Sequence, residues 1–356
     1  MRMAPLACLL LLYVSTALAV PMDDTAQTTT TQAGTSVHNL ETLVVSGAQP
    51  GPGMWKVSKG EHVVWVLGVL SPLPKKMEWQ APKVKSVLRQ ADEVIWPATL
   101  GFTVKVNPLQ GLLLLPSVPG ARKNPDGKQL RDVVSAQDYQ RWLELKARYI
   151  GRDRSIESWR PLFAAYRLWK KALDASALSE TSVIDPLIKR AARERKFVQT
   201  HPRNMLVITD ARVALKEFKH DDVDDDACFS KTLDRLETDV ASMRQRANAW
   251  AIGDLAALRA LPYDDQYSTC GQAAMQSPVF RKRMPGDPIV KAHQLWLDAV
   301  EKALANNQVT FAMLTMRQAL SSNGPLAKLQ AKGYLVEAPT PVALPAPVAP
   351  SDSTPH

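Results

Sequence analysis

The chain has 356 residues, of which 46% are hydrophobic, and its formal net charge is +9. A hydrophobic content of this size supplies a sizeable core and excludes wholesale disorder. The basic residues are scattered and no nucleic-acid-binding motif accompanies them, so a nucleic-acid partner is excluded and an anionic polymer or surface is favoured.

Residues 1–19 have the pattern of a secretory signal peptide. Arg2 precedes a short apolar run over 6–13, and Ala17 and Ala19 place small residues before a cleavage site at Val20. The apolar run is too short to span a bilayer, and no later segment is long and apolar enough to do so. We therefore expect a protein that is periplasmic or secreted and that does not span a membrane.

Composition divides the rest of the chain into three parts. Residues 20–40 are rich in Thr, Gln, Ser and Gly, which predicts a disordered lead-in. Residues 339–356 are rich in Pro and Ala, which predicts a disordered tail. The predicted helices and strands lie between them, in a domain over 41–338.

Residues 53–74 predict a β-hairpin followed by a loop. Trp55 and Val57 alternate with polar residues, and residues 63–67 form the nearly continuous apolar run of a buried strand. This run ends at Gly68. The end of a buried strand is a common position for a functional site, because the fold holds the strand and leaves its last residues accessible.

The elements after the hairpin are mostly helices until the last strands. Predicted helices cover 81–91, 159–173, 182–196, 226–250, 289–306 and 324–331. Two more have a predicted cap: one lies between the cap Ser135 and Gly151, and one covers 255–261 after the cap Asp254. Predicted strands cover 42–45, 92–96, 197–198, 309–314 and 334–336. Residues 111–116, GLLLLP, predict either a strand or a buried helical turn, since periodicity does not distinguish the two.

The order of these elements predicts one α/β domain. Its sheet is assembled from N-terminal and C-terminal strands, and a large helical insertion over about 135–306 separates them. Cys228 and Cys270 lie in this insertion. They are either two buried thiols or a disulfide, and an oxidising compartment favours the disulfide.

Several short segments of the domain are together typical of one family. They are 55–58 with 63–68, 248–250 with 253–258, 310–312, 324–326 and 332–337. These segments resemble the TraB/GumN family, which is related to the Tiki metalloproteases, and the resemblance covers about 41–338. It implies a fold similar to the ChaN-like and erythromycin-esterase-like group, and descent from a divalent-metal hydrolase.

The metal-site motifs of the family are altered in this chain. Active members carry Gly-x-x-His after an early strand, a Glu after the second strand, an Arg-Asn pair on a late helix, and a second Gly-x-x-His. On this chain the first motif runs from Gly68 to Ser71, and the later positions fall at or near Trp96, His293 and Arg317. Ser and Trp are poor ligands and Arg repels a cation. We therefore expect no cofactor, and a divalent metal only if its ligands have been relocated.

Ser71 could instead be a nucleophile, with His293 as the base that the family resemblance places nearest. A nucleophilic serine needs a base in hydrogen-bond reach and a third group that orients this base. No Gly-x-Ser-x-Gly elbow surrounds Ser71. A turn residue whose hydroxyl binds backbone at the strand end is the favoured interpretation.

Three further clusters have both a functional and a structural interpretation. The acidic run 220–226 fits a calcium site, but an acidic cap on the following helix is favoured. The tryptophans and tyrosines over 139–169, with Trp250, fit a sugar- or peptide-binding groove, but core packing is favoured. Arg152, Arg154, Arg160 and Arg167 lie near them, and a solvated face is favoured over a site for an anionic saccharide or lipid.

Three functional hypotheses follow. The first is an exported, catalytically inactive protein with a binding role in cell-envelope or exopolysaccharide processes, whose partner is an anionic saccharide or an envelope protein. The second is a hydrolase with relocated metal ligands or a serine-based site in the same cleft. The third is an interaction scaffold that uses the helical insertion.

Overall fold

The computed structural model describes residues 51–340 apart from 78, 115–118, 221–224, 262–268, 272–274 and 276. The predicted signal peptide, the lead-in, the strand at 42–45 and the tail from 341 lie outside the described residues.

A six-stranded mixed sheet is the frame of the fold, and two small sheets accompany it. The strands are β1 Met54–Lys59, β2 His62–Val69, β3 Leu73–Pro74, β4 Glu93–Ile95, β5 Thr99–Val104, β6 Leu178–Ser179, β7 Val198–Thr200, β8 Arg203–Ile208, β9 Val309–Thr315 and β10 Leu335–Glu337. The main sheet has the order β10-β1-β2-β9-β4-β7, while β3 pairs with β6 and β5 pairs with β8.

The predicted assembly of the sheet from both ends of the chain is confirmed. Strand β9 comes from the C-terminal part and lies between β2 and β4, parallel to both. Strands β1, β2 and β10 form the antiparallel side of the sheet, so the predicted hairpin is present. Val64, Val66 and Leu67 of the apolar run of β2 are buried, because the strand has a paired strand on each side and helices packed against it.

The helices pack around this sheet and extend away from it. They are α1 Pro82–Gln90, α2 Pro108–Leu114, α3 Ala136–Tyr149, α4 Pro161–Ala175, α5 Asp185–Glu194, α6 Ala211–His220, α7 Asp226–Thr238, α8 Val240–Ile252, α9 Leu255–Ala260, α10 Pro278–Arg283, α11 Pro288–Asn306, α12 Met316–Leu320 and α13 Pro325–Ala331. Two predicted caps are confirmed: Ser135 accepts the N–H of Asp138, and Asp254 accepts the N–H of Ala257. Within the described residues, no helix is long and apolar enough to cross a membrane.

The insertion over 135–306 contains more strand than predicted: one strand was expected in it, at 197–198, and the structure has β6, β7 and β8. Strand β7 lies inside this interval and forms one edge of the main sheet, next to β4. Strand β8 also lies inside it and pairs in parallel with β5 as a separate ribbon. Neither β5 nor β8 is among the strands predicted from the sequence. The residues of β5 are exposed or half-buried, so this strand has no clear apolar period.

The single helix predicted over 226–250 is two helices, α7 and α8. The break falls at Asp239, whose backbone angles, φ −110° and ψ −6°, depart from α-helical values. One buried apolar stripe continues across this one-residue break, because Leu233, Leu236, Met243 and Trp250 are all buried. The carboxylate of Asp239 is buried as the centre of an ion-pair cluster, which gives the break a structural reason.

The leucine run at 111–116 is helical where it is described, as the end of α2, but it is not buried. The side chains of Leu112 and Leu113 are 63% and 66% exposed. The prediction of a buried turn was therefore wrong for these residues. Residues 115 and 116 lie outside the described part of the chain.

Three of the seven residues in the aromatic set belong to the core, and Tyr166 is exposed. Trp142, Trp169 and Trp250 are buried, and each indole N–H is bonded, the first two to the carboxylates of Glu157 and Glu180. These three side chains are therefore not available to line a groove, and the structure favours the core interpretation for them.

Candidate functional site at the carboxyl edge of the sheet

Four parallel strands end at the same edge of the main sheet. Strands β2, β9, β4 and β7 are neighbours, and the register pairs Val69 with Thr315, Ile95 with Ala312, and Ile95 with Thr200. Open α/β sheets bind ligands beyond the carboxyl ends of such strands, where loops and helix starts leave a crevice. The residues that follow these strands are therefore the first candidates for a site.

Gly68 lies at the end of β2 under two helices. Its carbonyl oxygen accepts the indole N–H of Trp250 at 2.7 Å, which ties α8 to the strand. A Cβ atom at this position would lie 2.7 Å from the Cε of Met316 and 3.2 Å from the ring of Trp55. The close approach of these side chains explains why glycine occupies this position.

Two of the other predicted site residues, Ser71 and Trp96, follow parallel strands at this edge. Ser71 is half-buried in the loop after β2, and the peptide bond to Pro72 is cis. Trp96 follows β4 directly, and its ring stacks on His201, which follows β7, with 5.1 Å between ring centroids. Burial, with help from the charge of Arg203, lowers the pKa of the His201 imidazole.

His293 lies in α11 and contacts the element after β9. The side-chain amide of Gln318 donates to Nε2 of His293 at 2.7 Å, while Gln318 also closes the capping box of α12 with Thr315. Burial first, and the charges of Lys328 and Arg317 next, lower the pKa of His293. A neutral imidazole that accepts at Nε2 fits this arrangement.

A cavity of about 600 Å³ opens at the ends of β2 and β9. Three arginines line it, Arg246 from α8, Arg259 from α9 and Arg317 from α12. The rest of its described lining is Leu70, Leu258, Ala260, Leu261, Met316, Leu320 and Ser321. Of the four predicted residues Ser71, Trp96, His293 and Arg317, only Arg317 belongs to this lining, so the structure does not gather the predicted set in one pocket.

Arg246 is the most rigidly placed of the three arginines. Its side chain is 2% exposed, and its two terminal nitrogens donate to the two carboxylate oxygens of Asp239 at 2.8 and 2.7 Å. Asp239 also accepts two bonds from Arg235, whose guanidinium lies over the ring of Trp169. This buried cluster fixes a guanidinium in the wall of the cavity.

The donor set of the cavity does not fit a divalent cation. Its described lining contains three guanidinium groups and no carboxylate, imidazole or thiolate. Over the described part of the chain there is also no group of three or more His, Cys, Asp or Glu residues that could hold a metal ion. Divalent metals need lone-pair donors, and a guanidinium repels them.

The described part of the acidic run lies at the start of α7, as predicted, with Asp225 directly before the helix and Asp226 in its first turn. Residues 221–224 lie outside the described residues. Asp225 precedes α7, but its carboxylate makes no cap bond to that helix and instead accepts the backbone N–H of Leu162 at the start of α4, at 2.9 Å. Asp225 and Asp226 place acidic groups at the positive end of the helix dipole, although the side chain of Asp225 bonds to α4 and not to α7.

The basic stretch near the aromatic residues is divided between core and surface. Arg160 is buried, and it donates to the carbonyl oxygen of Phe218 at 2.6 Å with its guanidinium over that ring. Arg152, Arg154 and Arg167 are exposed. The stretch therefore does not form one basic surface.

Sequence reasoning missed Arg246, Arg259 and His201 as site residues. The sequence did contain a signal for Arg246. It lies four positions before Trp250, so both are on the same face of the helix, and Trp250 belongs to a segment that resembles the family. His201 directly follows β7, which ends two residues later than the strand predicted at 197–198. A prediction with the correct end of this strand would have included His201. Arg259 follows the family-like segment 253–258 directly, so it carried a weaker signal of the same kind.

Together the fold and this site define a class: an open mixed α/β sheet with a ligand-sized crevice at the carboxyl edge of its parallel strands. Residues 53–338 match the model of the TraB/PrgY/gumN family, most of the chain, and the chain belongs to this family. No curated protein and no solved structure matches the chain significantly.

Proposed function

We propose that this chain is an exported member of the TraB/PrgY/gumN family that acts by binding in the cell envelope, and not by metal-dependent hydrolysis. The observation that carries the proposal is the residue set at the carboxyl edge of the sheet. Where the family resemblance expects a second metal-binding histidine, this chain has Arg317, and Arg246 and Arg259 line the same cavity. Three cationic groups disfavour a divalent cation there.

Serine-based hydrolysis has little support from the surroundings of Ser71. The nearest candidate base by resemblance, His293, already accepts a hydrogen bond at Nε2 from Gln318. A general base must have that lone pair directed at the hydroxyl that it deprotonates. A binding role in cell-envelope or exopolysaccharide processes, as the family resemblance implies, is therefore the function we favour.

The proposal is tested by metal content and hydrolysis on one preparation. The full chain, with its leader, is expressed in a Gram-negative host, and the periplasmic protein is assayed for zinc, manganese and cobalt and for cleavage of peptides and esters. We expect a metal content well below one equivalent and no turnover above a buffer blank. Stoichiometric metal that disappears in Ser71→Ala, or turnover that depends on Ser71, would overturn the proposal.

Export is tested separately on the same cells. The mass of the periplasmic protein should correspond to a chain that begins at Val20. A protein that stays in the cytoplasm with Met1 in place would contradict the exported localisation.

A further inference from the structure

We infer that the cavity between Arg246, Arg259 and Arg317 binds a small organic anion, a phosphate or a carboxylate carried on a compact body. The inference rests on the proposed function, because it names the class of ligand for the same edge of the sheet. The cavity volume of about 600 Å³ lies within the range of roughly 300–1,000 Å³ that is usual for small-molecule sites.

The charge of the lining selects an anion. The three arginines come from three different helices, α8, α9 and α12, and their side chains meet at one cavity. Guanidinium groups bind carboxylates and phosphates through paired N–H donors, which gives strength and orientation. A site of this kind has a preference for planar or tetrahedral oxyanions over neutral molecules of the same shape.

The guanidinium of Arg246 is already held in a fixed position before any ligand binds. Arg246 is held by both oxygens of Asp239, and Asp239 is itself fixed by Arg235. A ligand that meets Arg246 does not have to immobilise a free side chain, so less of the interaction energy is lost as conformational entropy. Arg259 and Arg317 are exposed and reach the cavity from the solvent side.

The remaining walls indicate that the ligand is more than an inorganic ion. Most of the other lining residues are apolar, and Leu70, Leu258 and Met316 are themselves buried. Only the hydroxyl of Ser321 adds a neutral polar side chain to the described lining. Apolar walls with a few convergent polar groups are typical of sites that hold an organic body and orient it by its charged end.

The inference is tested by calorimetric titration of the purified full-length protein, processed as the host leaves it, at low and at physiological salt. The probes are hexyl phosphate and glucuronate, each with a neutral counterpart, hexanol and glucose. We expect at least one anion to bind at least ten times more tightly than its neutral counterpart, and this binding to weaken as salt rises. Binding of hexyl phosphate alone supports an apolar body, and binding of glucuronate alone supports a sugar acid.

The variants Arg259→Gln and Arg317→Gln locate the site. A hydrogen bond to a charged group is worth about 1.5–3 kcal/mol, so each change should weaken anion binding about tenfold or more. Arg193→Gln is the matched control, because Arg193 is an exposed arginine of α5 outside the cavity and its loss changes net charge equally. Arg246 is tested with Arg246→Lys, because this change keeps a charge beside Asp239, whereas glutamine at this buried position would break the ion pair.

Three results would overturn the inference: no anion binds better than its neutral counterpart, the double variant of Arg259 and Arg317 keeps full affinity, or Arg193→Gln weakens binding as much. Metal content of the same preparation separates the two proposals. A metal-free, inactive protein that binds no anion overturns this inference and leaves the proposed function standing. A stoichiometric metal overturns the proposed function, whatever the titration shows.

Discussion

The indole N–H of Trp250 donates to the carbonyl oxygen of Gly68 at 2.7 Å, although 182 positions of the sequence separate the two residues. A second indole makes the equivalent bond one strand away, since Trp296 donates to the carbonyl oxygen of Met313 at 2.9 Å. The two central parallel strands, β2 and β9, thus each end under a buried tryptophan from a helix. This pair of bonds holds the helices that enclose the candidate site against the sheet.

The first prediction concerns this bond directly. Trp250→Phe removes the N–H donor, so the buried carbonyl group of Gly68 loses this hydrogen bond, and the smaller side chain leaves a small cavity. We expect a loss of about 2–4 kcal/mol in the free energy of unfolding, measured by urea denaturation. Trp65→Phe, at a half-buried position in the same strand as Gly68, is the control and should cost less. Equal losses in the two variants would contradict the role given to the bond.

The second prediction concerns the buried ion-pair cluster beside the cavity. Asp239→Asn leaves Arg235 and Arg246, both buried, without the carboxylate that they share. Removing one partner of a buried ion pair costs about 3–5 kcal/mol, so we expect a loss of this order in urea denaturation. Asp234→Asn is the matched control, because Asp234 pairs with Arg141 at the surface and such pairs contribute about 0–1 kcal/mol. A smaller effect at Asp239 than at Asp234 would refute the argument.

The third prediction is a pH dependence of stability. Burial raises the pKa of Asp225 to about 6, against the opposing effects of the Leu162 N–H and the charge of Arg160. Between about pH 4 and pH 6, the carboxyl of Asp225 is therefore protonated in the folded protein and ionised in the unfolded chain. Its stability should fall as pH rises through this window, in total by about 2–3 kcal/mol, since a tenfold change in proton affinity is worth about 1.4 kcal/mol.

Asp225→Asn isolates this effect, because the amide oxygen can still accept the N–H of Leu162 and does not titrate. The stability of the variant relative to the natural protein should be about 2–3 kcal/mol more favourable at pH 7.5 than at pH 3.5, by urea denaturation at both values. Titrations elsewhere cancel in this difference. A difference that does not change with pH would show that the carboxyl of Asp225 titrates normally.

The fourth prediction concerns Cys228 and Cys270. Their Cα atoms lie 4.6 Å apart and 42 positions separate them in the sequence. A disulfide that closes a loop of this length stabilises the folded protein by about 3–4 kcal/mol. Periplasmic protein, denatured without reductant, should show no free thiol, and replacement of both cysteines by serine should lower the unfolding free energy by about that amount. The cytoplasmic form of the same chain provides the reduced control. Two titratable thiols in the periplasmic protein would leave the cysteines unpaired.

The sequence alone determined the local elements and the frame of the fold. The apolar run of β2, the caps at Ser135 and Asp254 and the strand at 309–314 all follow from near-neighbour patterns, and the structure has them. The order of the elements, with strands towards both ends of the chain and helices between them, placed the N-terminal and C-terminal strands in one sheet. The family resemblance also implied that Ser71 and Arg317 stand where metal ligands would be expected.

Only the tertiary structure decided which side chains meet. Arg246 lines the cavity with Arg317 because α8 is bonded to the end of β2 through Trp250 and α12 follows β9. The carboxylate of Asp239 is likewise shared by Arg235 of α7 and Arg246 of α8, and no local propensity encodes this contact. Periodicity reports which face of an element is buried, but the partner of that face is set by packing between segments far apart in the chain. For this reason the sequence indicated the edge of the sheet, and the fold identified the arginine-lined cavity.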